Sequence, residues 1–115
     1  MKSESMKPIT KTRLAMILSK LPSFESPIDG LEQYPTDSQV GSEVLWNAAM
    51  LGDIEGKRVS DLGCGGGILG LGCLLLGAKE VDFLDIDKKA LSQAKTNYSK
   101  LKSEGLLRDG FEEGE

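Results

Sequence analysis

A cluster of glycines directly after a short apolar stretch constrains this chain more than any other feature. The segment reads Val59-Ser60-Asp61-Leu62-Gly63-Cys64-Gly65-Gly66-Gly67-Ile68. Arg58–Leu62 predicts a strand, and the residues from about Gly66 to Leu76 predict a helix that closes at Gly77. Because glycine has no Cβ atom, a ligand can lie against the backbone of such a junction. The N-terminus of the following helix can then face an anionic part of that ligand.

A second strand, Val81–Leu84, and a further helix that Asp87 caps and Gly105 ends are predicted next. The glycine-rich helix is apolar nearly all round, so we expect it to be enclosed rather than on the surface. The order strand, loop, helix, strand, helix indicates a βαβ unit with parallel strands. Two strands do not form an independently stable sheet. The predicted fold class is therefore α/β, the N-terminal half of a Rossmann-like doubly wound parallel sheet.

Two helices precede this unit. The first, Thr10–Leu21, has its apolar face at Leu14, Ile17, Leu18 and Leu21, and the second begins at Thr36 or Asp37 and ends at Gly52. The predicted apolar stripe of the second helix consists of Val40, Val44, Ala48 and Leu51. We expect a single partial domain with an N-terminal helical segment (1–56), a βαβα unit (57–105) and an acidic, patternless tail (106–115).

Composition excludes several classes of site. The 115 residues contain no histidine, which rules out a Ser-His-Asp or Cys-His nucleophile and a His-ligated metal. Cys64 and Cys73 have no neighbouring ligands, so no metal site is predicted and reduced, buried thiols are expected. The longest apolar run, Ile68–Leu76, is interrupted by two glycines and is too short to span a bilayer. No membrane partner and a cytoplasmic location are therefore expected.

The charge of the chain is unevenly distributed. The net charge is −4, which argues against strong nucleic-acid binding by the whole chain. Residues 1–21 nevertheless carry five basic side chains against one acidic side chain. This basic start is consistent with contact to a polyanion, but the pattern favours a solvated helix face.

Two acidic residues narrow the choice of ligand. Asp85 ends the second strand, 18 residues after Gly67, where a carboxylate can accept both hydroxyls of a ribose. The pattern Gly65-x-Gly67-x-x-Gly70 admits a nicotinamide dinucleotide. Asp61, however, lies two residues before Gly63, where it would repel a pyrophosphate but attract an ammonium group. That arrangement favours S-adenosylmethionine, whose methionyl end carries such a group.

These segments together resemble a known family. Asp61–Leu69 looks like motif I of the class I S-adenosylmethionine-dependent methyltransferases, and Leu84–Asp87 looks like their acidic motif. The sequence Leu31–Thr36, followed by a helix, resembles the methyltransferase-like-five family and its archaeal relatives, which are ribosomal-RNA adenine N6-methyltransferases. The resemblance covers about residues 10–103. One departure is Gly66, where Thr or Cys is commoner in the family.

The resemblance implies a set of cofactor-binding residues. Asp61 would bind the amino group of the cofactor, Asp85 the ribose, and the glycine segment the methionyl part through its backbone. Gln33 and Thr36 would close over the cofactor with Tyr34 beside them. The predicted cofactor-binding residues are Gln33, Tyr34, Thr36, Asp61, Gly63, Gly65, Gly66, Gly67, Ile68 and Asp85. Ile86, next to Asp85, is equally suited to an adenine face and to the core.

The catalytic motif of the family is not found in this sequence. Adenine methylases carry an Asn-Pro-Pro-aromatic segment that holds the flipped base, whereas neither Asn47 nor Asn97 is followed by proline. No catalytic residue is therefore assigned. The resemblance implies the cofactor-binding half of a ribosomal-RNA adenine methyltransferase, with weak cofactor binding and no methylation by this chain alone.

Partners and alternatives follow from this interpretation. The whole enzyme would act on structured ribosomal RNA, with the basic helix Thr10–Leu21 contributing, and eukaryotic members of the family use a small activator subunit that contains zinc. A different hypothesis is a non-enzymatic cofactor-binding or interaction module that completes its sheet with a partner or a second copy through an open edge. An NAD-dependent fragment is a third.

Overall fold

The computed structural model describes residues 9–22 and 37–114. Within these ranges the elements are α1 (Lys11–Ser19), α2 (Ser38–Met50), β1 (Arg58–Leu62), α3 (Ile68–Leu75), β2 (Glu80–Leu84), α4 (Lys88–Ser103) and β3 (Phe111–Glu113). The strands form one sheet in the order β1-β2-β3, and both pairings are parallel. The α/β class and the two preceding helices are confirmed.

The helices begin and end where local chemistry predicts. The side chains of Thr10, Asp37 and Asp87 accept hydrogen bonds from backbone N–H groups in the first turns of α1, α2 and α4. Such N-caps satisfy donors that the helix itself leaves unpaired. Gly52 and Gly105 follow the ends of α2 and α4 with φ angles of +81° and +77°, a backbone conformation that glycine adopts without strain.

A third strand corrects the expectation of two strands and a patternless tail. Residues 111–113 pair with β2, with Phe111 opposite Val81. The Phe111 ring stacks on the Phe83 ring with centroids 4.4 Å apart, and Leu107 is buried. A strand of three residues is too short to show an alternating pattern, so the pairing with β2 and the aromatic contact define it.

The predicted apolar stripe of α2 is also wrong. Val40, Val44 and Leu51 are 60%, 59% and 77% exposed. The buried residues are Gly41, Ser42 and Leu45, which occupy a different face of the helix. Small residues allow α2 to approach α1 and α3 closely, and Leu45 lies directly against Gly72 of α3. Close approach therefore decides the orientation of α2, whereas the count of apolar side chains does not.

The helices pack against one face of the sheet. The connections β1-α3-β2 and β2-α4-β3 each lead to the next strand on the same side across the sheet. Because such crossovers are right-handed, they place α3 and α4 on the same face of the sheet. Val81 and Phe83 point to this side and are fully buried, and α1 and α2 cover α3. The opposite face, which includes Ser60 and Leu62, is covered by no helix among the described residues, and one edge of β1 is unpaired there. The described residues therefore form one half of a doubly wound sheet.

No helix within residues 9–22 and 37–114 is both long enough and apolar enough to cross a membrane.

Candidate cofactor-binding site

The predicted site residues meet at the carboxyl ends of β1 and β2. Asp61 lies near the end of β1, and Asp85 directly follows β2. Because the two strands are parallel neighbours, their ends lie side by side with the glycine loop between β1 and α3 above them. Ligands of open α/β sheets bind at this edge.

The two carboxylates accept hydrogen bonds from the backbone of the glycine loop and of the first turn of α3. The Gly65 N–H donates to Asp85 Oδ2 at 2.9 Å, and the Gly70 N–H donates to Asp61 Oδ2 at 2.9 Å. The other oxygen of Asp85 accepts from the Asp87 N–H at 2.8 Å. A carboxylate has about four lone-pair sites. Each acid can therefore brace the loop and still accept further hydrogen bonds from a ligand.

The glycines of the loop serve two physical purposes. Gly63 and Gly65 have φ angles of +67° and +55°, and a Cβ atom built on either would meet nothing within 4 Å. Open space on this side is what a ligand against the backbone requires. A Cβ on Gly67 would instead lie 2.9 Å from the Ala94 Cβ, and one on Gly70 would overlap the Phe83 ring. These two glycines allow α3 to pack closely against α4 and the sheet.

The electrostatics of the site are set by burial. Desolvation raises the pKa of Asp61; the hydrogen bond from Gly70 opposes this shift and the charge of Asp85 adds to it. Desolvation also raises the pKa of the Cys64 thiol to about 12 and that of Cys73 to about 11, with smaller contributions from nearby acids. Both thiols are protonated at neutral pH, so neither is an activated nucleophile.

The residues present fit an S-adenosyl ligand. Ile86 is fully exposed immediately after Asp85. An exposed aliphatic side chain beside two carboxylates and an open loop offers an apolar surface to a purine and acceptors to an ammonium group and a ribose. The alternative core position for Ile86 is wrong.

The structure brings most of the predicted residues together. Gly66 and Gly67 are buried at the end of the loop that contains Gly63 and Gly65, and Ile68 is buried as the first residue of α3. Gln33, Tyr34 and Thr36 lie outside the described residues, so their predicted role stays a prediction. No group of three or more potential ligands that could hold a metal ion occurs in the ranges 9–22 and 37–114.

One residue of this region was not predicted. The Asn97 side chain is 1% exposed, and its Nδ2 donates to the Gly66 carbonyl at 2.9 Å. A polar residue on an amphipathic helix normally indicates a solvated position, so the sequence pattern contained no signal for this contact.

Comparisons with known proteins agree with this geometry. The family model described as ribosomal protein L11 methyltransferase (PrmA) matches residues 44–107. The rRNA N(6)-adenosine-methyltransferase METTL5 of Danio rerio is 39% identical over 79 residues, which are 68% of this chain and 38% of that protein. Its Drosophila melanogaster counterpart is 36% identical over 86 residues, 74% of this chain and 40% of that protein.

Further matches include a solved structure. PH1948 of Pyrococcus horikoshii, described as a candidate RNA methyltransferase, superposes with a TM-score of 0.78 and 46% identity over 90% of this chain and 50% of that one. A ribosomal protein L11 methyltransferase of Marinobacter nauticus is 53% identical over 45 residues, 39% of this chain and 15% of that protein. The chain spans about two fifths of the length of the METTL5 relatives.

The family model covers more than half of the chain, and its match contains the glycine loop and both acids. The chain therefore belongs to the class I S-adenosylmethionine-dependent methyltransferases, in the family of the ribosomal protein L11 methyltransferase model, and it forms the N-terminal half of their fold.

Proposed function

We propose that this chain is the S-adenosylmethionine-binding half of a methyltransferase that acts on adenine N6 in ribosomal RNA. The observation that carries the proposal is the pair Asp61 and Asp85 at adjacent strand ends. Asp85 accepts a hydrogen bond from a loop whose Gly63 and Gly65 face open space, and Asp61 accepts one from the first turn of α3. The site fits the cofactor, and the family membership is that of enzymes that use it.

S-adenosylmethionine supplies an electrophilic methyl group on a sulfonium ion. The residues of this chain would bind and orient it. Asp61 would accept hydrogen bonds from the amino group, Asp85 from the ribose hydroxyls, and Ile86 would cover the adenine. Methyl transfer to an amine depends mainly on alignment, so the contribution of this half is a fixed cofactor position.

The extent of the matches favours RNA over protein as the substrate class. A match that covers 74% of a 115-residue chain must include residues 31–85, so the Drosophila rRNA methyltransferase matches through Leu31–Thr36. The L11 methyltransferase of Marinobacter nauticus matches over only 45 residues, fewer than the family model covers. A match of 45 residues is too short to contain both Thr36 and Asp85, whereas the match to the Drosophila rRNA methyltransferase contains both.

A basic surface supports contact with RNA. Arg13 of α1 and Lys20, which directly follows α1, line one shallow hollow together with Lys100 of α4, although Glu104 also borders it. The described part of α4 carries five lysines and no acidic residue. Cations from two elements on one surface suit a phosphate backbone, which binds through clustered Lys and Arg. Arg13 and Lys20 are therefore part of a cationic surface in a chain of net charge −4.

Cofactor binding is tested by titrating the chain with S-adenosylhomocysteine in a calorimeter. We expect saturable binding that Asp85→Asn weakens by about tenfold or more, since a hydrogen bond to a charged group contributes about 1.5–3 kcal/mol and about 1.4 kcal/mol is a factor of ten. The matched control is Asp53→Asn, because Asp53 is an exposed acid in the turn before β1, at the opposite edge of the sheet. Equal affinity of both variants, or saturable NADH binding without a response to S-adenosylhomocysteine, would contradict the proposed cofactor site.

RNA binding is tested by filter binding of a ribosomal-RNA fragment over a range of salt concentrations. The triple variant Arg13→Gln, Lys20→Gln, Lys100→Gln should bind more weakly and lower the slope of log K against log salt by about one for each phosphate that is no longer neutralised. Lys57→Gln, an exposed lysine before β1, is the control. A slope that the triple variant leaves unchanged would remove this surface from the RNA interface.

The non-enzymatic alternative is favoured by one observation: within residues 9–22 and 37–114, no strand pairs with one edge of β1, and Leu62 is exposed beside that edge. Such an edge can pair with another chain. Light scattering distinguishes the two hypotheses, because a concentration-dependent dimer supports sheet completion and a well-folded monomer argues against it.

A further inference from the structure

The exposed face of α4 is strongly cationic in a chain whose net charge is negative. The helix carries five lysines and no acidic residue, whereas the whole chain has a net charge of −4. The exposed residues of its outer side, here called the α4 ridge, are Lys88, Lys89, Ser92, Lys95, Thr96 and Ser99. The lysine of α4 that lines the hollow beside α1 is Lys100, so the ridge is a further surface.

Two lysines of the ridge occupy an unfavourable place in the helix. Lys88 and Lys89 are the first two residues of α4, and its first turn contains no acidic residue. The partial positive charge at the N-terminus of a helix favours acidic side chains there and disfavours lysines. These two lysines therefore lower the stability of the helix, so the fold alone does not account for them.

The lysines of the ridge have no acidic partner within residues 9–22 and 37–114. Lys102, in the last turn of α4, does have one, because its Nζ lies 2.6 Å from Asp109 Oδ1. The other ion pairs of these ranges involve Lys11 and Arg58, which lie outside α4. The ammonium groups of the ridge are therefore not neutralised by the part of the chain that the structure describes.

Hydroxyl groups lie between the lysines of the ridge. Ser92, Thr96 and Ser99 are exposed, and their hydroxyls donate to no group of the described ranges. Lysine, serine and threonine side chains all donate to phosphate oxygens. At a rise of about 1.5 Å per residue, Lys88 and Lys95 lie about 10 Å apart along the helix axis. The ridge is thus an extended row of donors rather than a single point of charge.

The side chains of the ridge suit phosphates and do not suit bases. The ridge contains no aromatic residue, and the aromatic residue of α4, Tyr98, is used in packing. Its ring lies against Phe111, and its hydroxyl donates to the Arg108 carbonyl. Unpaired bases bind by stacking on aromatic side chains, whereas phosphate contacts carry no sequence information directly. A nucleic acid on this face would therefore be held by its backbone.

The ridge begins at the edge of the sheet that holds the proposed cofactor site. Asp87, the N-cap of α4, donates from its backbone N–H to Asp85 Oδ1 at 2.8 Å. Lys88 follows Asp87 directly. A polyanion that lies along the ridge would therefore pass beside the position proposed for the cofactor.

We propose that the α4 ridge binds the phosphate backbone of RNA, independently of base sequence, and leads the bound strand to the cofactor edge. The inference rests on the proposed function, which makes RNA the substrate, and it adds the path that the RNA takes on this half of the enzyme. It also assigns a purpose to Lys88 and Lys89 that their cost to the helix leaves open.

The test is filter binding of a ribosomal-RNA hairpin by the 115-residue chain over a range of salt concentrations. The double variant Lys88→Glu, Lys89→Glu should bind about tenfold or more weakly and lower the slope of log K against log salt by about two, one for each lost phosphate contact. The same variant should unfold at a higher urea concentration than the original chain, because acids then replace cations at the helix N-terminus. Opposite changes in stability and RNA affinity exclude loss of folding as the cause.

The matched control is the double variant Lys57→Glu, Lys79→Glu. It makes the same change of charge at exposed lysines just before β1 and β2, at the opposite edge of the sheet, and it should leave the slope unchanged. Lys95→Glu, within the ridge but away from the helix end, should lower the slope by about one. A hairpin of equal length and unrelated sequence should bind the original chain as tightly as the ribosomal one.

Three results would overturn the inference while leaving the cofactor site intact. They are absence of RNA binding by a chain that binds S-adenosylhomocysteine, an unchanged slope in the ridge variants, and equal weakening by the control. A preference for the ribosomal hairpin that the ridge variants abolish would overturn the assignment to phosphates. Failure of the original chain to bind S-adenosylhomocysteine would instead overturn the proposed function, whatever its affinity for RNA.

Discussion

Replacement of Gly67 by alanine tests the close packing of the glycine loop most directly. Gly67 has a φ angle of +86°, and a left-handed backbone conformation costs a residue with a Cβ atom about 1–2 kcal/mol. The new methyl group would also lie 2.9 Å from the Ala94 Cβ and 3.3 Å from the Phe83 ring. Both neighbours are fully buried, so neither can move aside into solvent.

The two costs can be separated. Overpacking of a buried site costs about 1–3 kcal/mol, so Gly67→Ala should lower the free energy of unfolding by about 2–5 kcal/mol in total. Gly52 has a similar φ angle of +81° but nothing within 4 Å of a built Cβ. Gly52→Ala should therefore cost only the backbone strain, about 1–2 kcal/mol.

Urea unfolding followed by far-ultraviolet circular dichroism measures both variants. The midpoint should fall further for Gly67→Ala than for Gly52→Ala, with unchanged slopes. Ala94→Gly should partly rescue Gly67→Ala, because it removes the nearest carbon atom, although alone it costs about 1 kcal/mol of helix propensity. Equal midpoints for the two glycine variants, or no rescue, would refute the assignment of Gly67 to close packing.

Three further outcomes are expected. Burial raises the pKa of Asp61, so the stability that its protonated form contributes is complete below the ordinary pKa of 3.8 and is lost as the pH rises through the folded-state pKa. In thermal unfolding at pH 7, Asp61→Asn should therefore be more stable than the original chain. The same variant should bind S-adenosylhomocysteine less tightly. Because the pKa values of Cys64 and Cys73 are raised to about 12 and 11, both thiols should resist iodoacetamide at pH 8 in the folded chain and react in urea. Rapid labelling without urea would contradict their burial. Tyr98→Phe should lower the free energy of unfolding in urea by about 0.5–1.5 kcal/mol. The reason is that the Tyr98 hydroxyl donates to the Arg108 carbonyl at 2.6 Å, just before β3. An unchanged free energy of unfolding would argue against that bond.

The sequence by itself determined the βαβ order, most helix ends and the edge of the sheet at which a ligand is expected to bind. These features depend on neighbours within a few residues. Asp37 and Asp87 cap helices through their own first turns, and the spacing of Asp61 and Asp85 follows from two strands of five residues joined by one helix. Local chemistry is visible in a sequence because the atoms that interact are close along the chain.

Tertiary structure alone decided which face of α2 is buried, the existence of β3 and the position of Asn97. Gly41 and Leu45 are buried because α1 and α3 approach on that side, and Phe111 belongs to a strand because Phe83 stacks against it. Asn97 is buried because carbonyl groups 31 and 75 residues away in sequence accept from its amide. Partners that distant leave no periodic signal, so packing selects among faces that the sequence pattern leaves equivalent.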